Sequence, residues 1–345
     1  MSDTVCQKER ARGSRGVTEN SPLAFIVGSG RSGTTLLAAA LNRHPKISVP
    51  AETHFFTRLR LFGGWSRVSR NSEELDAFLR DMIKRAELPC TPADILSQCR
   101  SSSPSCRELF NALMASLVGG HGKPFCIEKT PSHLFSAKYI REVFPEAKLI
   151  VTIRDGRDVA KSYTRMPWAP DSYVDNLLTW RACVEEGDAI LVNRDTILVK
   201  FENLVRVPEA ELEKLCDFLG VAFSPSLLTP DGSETQLYTP RQKWKEKVSG
   251  AFDAAEVEKW RRELSALEGV LAMSVAHDTL KTHGFSVEGV KRKPHLCRPR
   301  LGIAPAVLRE DPVLWDSVCS GLALRGWDIE AYGGRGRESS YDAVI

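Results

Sequence analysis

The 345-residue sequence has no Cys-x-x-Cys pair, no apolar run long enough to cross a bilayer and little net charge. Its nine cysteines stand at 6, 90, 99, 106, 126, 183, 216, 297 and 319, an odd number without the close pairing of a zinc site or a disulfide scaffold. Cys99 and Cys106 do not have zinc-ligand spacing, so no metal is expected and the cysteines read as small buried apolar residues in a reducing compartment. A membrane span needs about 18 to 20 consecutive apolar residues, and none is present. The first twenty residues are polar and Arg-rich without the apolar core of a signal peptide, while Asp3, Glu9 and Glu19 argue against a transit sequence. The expectation is a cytoplasmic protein with no membrane span and a disordered tail over 1–21. A formal charge of +3 gives no reason to expect a nucleic-acid partner.

What is present is an alternation of strands and helices. Leu23 to Val27 is a short, wholly apolar run ending at Gly28, the pattern of a strand covered on both faces in a parallel sheet. Thr34 to Asn42 reads as a helix, with Leu36, Leu37 and Leu41 in helical spacing and Pro45 beyond its end. Further strands are expected at Phe125–Ile127, Lys148–Ile153 and Ile197–Phe201. Later helices are punctuated by Pro208, Gly220 and Gly284, with capping boxes expected at Asp253-x-x-Glu256 and Ser265-x-x-Glu268. The fold class is therefore α/β: a P-loop type three-layer fold, a central parallel β-sheet flanked by helices. The expected domain runs over 22–286. Within it, about 57–120 is a helical insertion without a strand, including a capping box at Ser105-x-x-Glu108 and a C-terminal glycine at Gly119, and it shapes an acceptor cleft. Residues 287–345 form an appendage whose role the sequence does not disclose.

Gly28-Ser-Gly-Arg-Ser-Gly33-Thr34-Thr35 has the glycine spacing of a phosphate-binding loop and lies between a strand and a helix. Such a loop aims backbone N–H groups and a helix N-terminus at one anion. It lacks the lysine that reaches the outer phosphates in ATP- and GTP-cleaving loops, since Thr34 stands there. The cation inside the loop is Arg31, and Thr34 and Thr35 add hydroxyls, which suits an anion less charged than a triphosphate.

Four motifs in order, the loop segment Arg31–Leu36, Pro50-Ala-Glu52-Thr53, Glu128-Lys129-Thr130-Pro131 and the run from Arg154 to Ser162, resemble the sulfotransferases that use 3′-phosphoadenosine 5′-phosphosulfate (PAPS). The likeness covers about 22–285 and is nearest the tyrosylprotein sulfotransferase branch. It implies transfer of a sulfuryl group from PAPS, as co-substrate, to a hydroxyl or amine acceptor of unknown class, by in-line displacement with a carboxylate base. It also implies that Gly30, Arg31, Ser32, Gly33, Thr34 and Thr35 hold the 5′-phosphosulfate, and that Arg154 and Ser162 hold the 3′-phosphate. Charge at the carboxyl end of a parallel strand is where α/β proteins bind ligands, which agrees with Arg154; Arg157 and Asp158 read as a surface ion-pair cluster.

Glu52 is the candidate base, with Lys129 and Arg31 stabilising charge on the leaving side. His133 competes as base, because small-molecule sulfotransferases place a histidine just after a Lys-Thr pair. His54 lies beside Glu52 in sequence. Lys245 and Lys247 fall where the family carries a mobile segment over the nucleotide, and Phe201 and Trp244 are candidates for the adenine surface. A P-loop kinase or NTPase, and a non-catalytic nucleotide-binding protein of the same fold, are the rival readings.

Overall fold

The computed structural model describes residues 22–118, 123–232, 237, 252–287, 300–303, 328–331 and 343–344. Five parallel strands make the central sheet: β1 (Leu23–Gly28), β2 (Ile47–Ser48), β3 (Phe125–Lys129), β4 (Lys148–Ile153) and β5 (Thr196–Lys200), in the order β2-β3-β1-β4-β5. β1 is central, with Phe25 paired to Glu128 on one side and to Leu149 on the other. Helices cover both faces, which explains why β1 is apolar at every side-chain-bearing position rather than alternating.

On one face, α1 (Thr34–Asn42) packs Leu37, Ala38 and Leu41 onto Ala24, Ile26, Ile127 and Ile150. The other face carries a helical block between β2 and β3: α2 (Phe55–Leu61), α3 (Trp65–Val68), α4 (Ser72–Ala86), α5 (Pro92–Leu96) and α6 (Cys106–Val118). α4 shows why this stretch is helical. Asn71 caps its start by accepting from the Glu74 N–H, Glu73 and Glu74 lie at the positive end of the dipole, and Lys84 and Arg85 lie at the negative end. Leu75, Phe78, Leu79 and Met82 share its buried face. Phe55, Phe56, Phe78 and Phe110 then meet edge-on or tilted over Phe25 of β1, so the block is anchored on the central strand. Ser105 caps α6 through the Glu108 N–H, but the Glu108 carboxylate accepts from the Arg100 and Ser101 N–H groups instead of returning to Ser105. The expected capping box there is half formed.

Beyond β3 follow a 3₁₀ turn (Pro131–Ser136), α7 (Ala137–Val143), then after β4 α8 (Gly156–Tyr163) and α9 (Tyr173–Leu191), and after β5 α10 (Phe201–Arg206) and α11 (Pro208–Leu219). α12 (Trp260–Glu263) and α13 (Ala266–Thr282) come later, and α13 packs beside α8 and α9. Ser265 and Glu268 do form the reciprocal box at the start of α13. Asp253 caps only a single 3₁₀ turn, Ala254–Glu256, because Val257 is extended and Glu258 turns left-handed. Three short parallel strands, β6 (Arg300–Ile303), β7 (Asp328–Ala331) and β8 (Ala343–Val344), form a separate sheet ordered β7-β6-β8. Among the described residues, no helix is long and apolar enough to cross a membrane. The expected tail over 1–21 and Gly119 lie outside the described residues.

Candidate functional site

The loop joining β1 to α1 is shaped by three glycines. Gly28 has φ 141°, and a Cβ there would lie 2.5 Å from the Thr152 carbonyl oxygen of β4. Gly33 has φ 82° at the N-cap of α1, and a Cβ would lie 2.4 Å from Cδ2 of Phe201. At Gly30 a Cβ would come within 2.5 Å of the Tyr163 hydroxyl. Between them Arg31 adopts φ 63°, turning the chain so that Ser32 to Thr35 lead into the helix. The Ser32 hydroxyl is buried and has no hydrogen-bond partner, and the Arg154 Nε is a second buried donor left the same way among the described residues. Buried polar atoms are ordinarily satisfied. Two orphaned donors beside a helix N-terminus fit an anionic group.

Arg154 stands at the carboxyl end of β4. Its guanidinium lies over the Phe201 ring at 4.4 Å and donates to the carbonyls of Arg31 at 3.3 Å and Glu256 at 2.6 Å. Arg31 donates from Nε to the Ser162 hydroxyl on α8 at 3.0 Å. Burial lowers the Arg31 pKa, a desolvation that nearby acidic groups oppose. Arg31, Arg154, Ser162 and Phe201 are thus brought together on one rim of the loop, from four separate segments. The surface cluster expected at Arg157 and Asp158 is instead buried. Arg157 pairs with Asp155 at 2.6 Å and lies over the Trp260 ring at 3.6 Å, and Asp158 accepts from the Trp260 N–H at 2.6 Å. Burial pushes the Asp158 carboxyl up to about 6, with Arg154 opposing the rise.

The opposite rim is built from β3 and the segment after β2. Lys129, the last residue of β3, is fully buried, pairs with Glu52 Oε1 and stands 3.5 Å from the Thr35 hydroxyl. Glu52 Oε2 lies 3.4 Å from His54 Nε2. Side chains alternate along a strand, so Glu128 leaves the other face of β3. There its carboxylate accepts from the Thr53 N–H at 3.2 Å, the Thr53 hydroxyl at 2.8 Å and the Thr130 hydroxyl at 2.6 Å, while Oε2 meets His133 Nδ1 at 2.8 Å. Burial opposes ionisation of Glu128, but His133 and the hydrogen bonds from Thr130 and Thr53 outweigh it and hold the carboxyl below its ordinary value.

His133 is not brought to the loop. It is wholly buried against Phe25 and Phe56, its Nδ1 faces Glu128 and its Nε2 accepts from the Phe56 N–H at 3.1 Å. Both ring nitrogens are engaged in the core. Glu128 and the contact between His54 and Glu52 were not read from the sequence as parts of the site. The period-two alternation beside Lys129 was the available signal for Glu128. Lys245, Lys247 and Trp244 lie outside the described residues.

The family model described as "Sulfotransferase family" matches residues 22–225. Protein-tyrosine sulfotransferase 2 of Gallus gallus is 28% identical over 223 residues, covering 61% of this chain and 54% of the relative. Nodulation protein NoeE of Sinorhizobium fredii is 28% identical over 281 residues, covering 74% and 64% respectively. The chain thus spans about half the length of the tyrosine sulfotransferases it matches. The solved sulfotransferase domain from the curacin biosynthetic pathway superposes with a TM-score of 0.53 at 19% identity, covering 78% of this chain and 99% of that one, a likeness of fold. With a family match reaching from β1 into the turn beyond α11, more than half of its length, the chain belongs to the sulfotransferase family.

Proposed function

We propose that the protein transfers a sulfuryl group from PAPS to a hydroxyl or amine acceptor by in-line displacement. The observation that carries this reading is the ion pair between Glu52 and Lys129 beside Thr35, a carboxylate and a cation from separate segments meeting at the mouth of an anion loop. The loop N–H groups, Ser32, Thr34 and Thr35 hold the 5′-phosphosulfate. Arg154, with its free Nε, and Ser162 hold the 3′-phosphate, which separates this donor from ordinary adenine nucleotides. Phe201, beneath Arg154, offers an apolar surface at that site.

Lys129 and Arg31 stabilise the charge that develops on the leaving phosphate oxygen. Lys129 also holds Glu52 before the donor arrives. As Lys129 turns to the sulfuryl and leaving oxygens, its hold on Glu52 weakens, and Glu52 takes the proton of the acceptor while the new oxygen–sulfur bond forms. Thr34 stands where a kinase loop carries lysine, and the cation comes instead from β3, which favours this donor over a nucleoside triphosphate. The names of the relatives make a tyrosine phenol the first acceptor to try.

The test is calorimetric titration with the product 3′-phosphoadenosine 5′-phosphate, without magnesium, beside ATP and the Arg154→Ala variant. The expected result is tight binding of the bisphosphate, lost in Arg154→Ala and weak for ATP. No binding, or stronger magnesium-dependent binding of ATP, would sink the reading. Glu52→Gln should keep bisphosphate binding and lose turnover.

A further inference from the structure

We infer that His54 carries the acceptor's proton from Glu52 to solvent, an inference that rests on the sulfuryl-transfer reading above. A base that takes a proton at each turnover must lose it before the next. The two oxygens of Glu52 offer two directions. Oε1 faces Lys129, whose side chain is 0% exposed and leads into the core. Oε2 lies 3.4 Å from His54 Nε2, and the side chains are 12% exposed at Glu52 and 35% at His54. Exposure therefore rises from Lys129 through Glu52 to His54, and His54 is the outermost ionisable group of the three.

The ring is held there by its backbone. His54 has φ 53° and ψ 17°, a left-handed conformation uncommon for residues other than glycine. Its N–H donates to the Thr130 hydroxyl at 3.2 Å, and its carbonyl accepts from the Arg58 N–H at 2.8 Å as the first bond of α2. Thr130 in turn donates to Glu128, so the buried carboxylate under β3 fixes the residues on both sides of the turn. Strained backbone held by surrounding contacts is found where a side chain must be aimed.

In the step itself, the acceptor O–H bond breaks as its oxygen bonds to sulfur, and the proton rests on Glu52. It then moves from the carboxylic acid to Nε2 of the neutral imidazole, and the imidazolium returns one proton to water. Glu52 is again a carboxylate, and no further reactant is consumed. His54 acts through Glu52 and is a relay and positioning residue, with no claim to contact the sulfur.

The test is single-turnover cleavage of sulfur-labelled PAPS, so that product release does not mask the chemical cycle, followed by multiple turnover. Acceptors are 4-methylphenol, a tyrosine peptide and water alone. Two variants keep the left-handed turn: His54→Asn, which tolerates it, and His54→Gly, which also leaves room for added imidazole. The expected result is a fall in kcat of about a hundredfold or more in both, the low end of acid–base effects. Bisphosphate affinity and the KM for donor should be unchanged, and imidazole should restore His54→Gly but not Glu52→Gln. Wild-type kcat in His54→Gly, or a loss that imidazole does not restore, overturns the relay while leaving Glu52 as base. Turnover retained in Glu52→Gln overturns the base assignment and the relay with it, and no donor cleavage by the wild type overturns both.

Discussion

Glu128 and Lys129 are neighbours on β3 whose side chains leave opposite faces of the strand, Lys129 to meet Glu52 and Glu128 to meet Thr53, the residue after Glu52. One strand end therefore supplies both the partner of the candidate base and the anchor of its backbone. Both charged side chains come from residues that are 0% exposed, so each depends on the contacts it makes.

Removing the anchor is expected to be costly. In Glu128→Ala, His133, Thr53 and Thr130 lose their shared buried acceptor, and each buried donor left unsatisfied costs about 1–3 kcal/mol, about 3 kcal/mol or more in all. Urea denaturation at pH 7.5 measures it, and a loss below about 1 kcal/mol would contradict the network's weight. The folded Glu128 carboxyl is held below its ordinary value of 4.5, so its contribution is present above that value and is lost as pH falls below it toward the folded pKa. A wild type whose stability did not fall more than that of Glu128→Ala on acidification would also contradict it.

The extent to which these features were legible differs by element, for physical reasons. The helix Thr34–Asn42 and the strand Lys148–Ile153 were readable to the residue, because a buried strand ending in glycine or charge and a helix opening after a phosphate loop carry their own punctuation. β3 runs two residues further than the apolar pattern indicated, since Glu128 and Lys129 look like the end of a strand. They remain in it because partners far away in sequence, at Thr53 and Glu52, satisfy them. The burial of His133 is hidden from local sequence for the same reason. Nothing in local spacing shows that the Phe56 N–H takes one nitrogen and Glu128 faces the other. The candidate residues in the loop, together with Arg154 and Ser162, were legible because family motifs already encode those distant meetings.

Gly30 and Tyr163 give a prediction in which one substitution repairs another. A Cβ on Gly30 would meet the Tyr163 hydroxyl at 2.5 Å, whereas the next nearest atom, Cζ, is at 3.4 Å, an ordinary contact. Gly30→Ala alone should therefore overpack the loop at a cost of about 1–3 kcal/mol and weaken bisphosphate binding. Adding Tyr163→Phe removes the clashing oxygen, so the double variant should be more stable than Gly30→Ala and bind more tightly. A double-mutant cycle by thermal unfolding and calorimetry reads the coupling, and simple additivity would refute the contact.

Ser162 is predicted to act through Arg31 as well as on the donor. Ser162→Ala removes the acceptor of the Arg31 Nε–H, and a lost hydrogen bond to a charged group costs about 1.5–3 kcal/mol. Bisphosphate affinity should drop at least tenfold, with the fold measured by circular dichroism unchanged. Unaltered affinity would separate Arg31 and Ser162 from the donor site.

Asp158 gives the clearest dependence on pH. Its carboxyl is pushed up from 3.8 to about 6, first by burial, with Arg154 opposing and Asp155 adding to the rise. The folded protein therefore binds this proton more tightly than the unfolded chain. The group penalises folding least below about pH 4, and stability is lost as pH rises from there through about 6, by at most about 3 kcal/mol for a rise of roughly two pH units. Asp158→Asn keeps the shape and can still accept from the Trp260 N–H, yet carries no charge to desolvate. It should match the wild type near pH 3.5 and exceed it in urea midpoint at pH 7.5. The reverse order at pH 7.5 would mean that the attraction to Arg154, 3.6 Å away, outweighs the cost of burying the charge, and that Asp158 holds Arg154 in place for its anion.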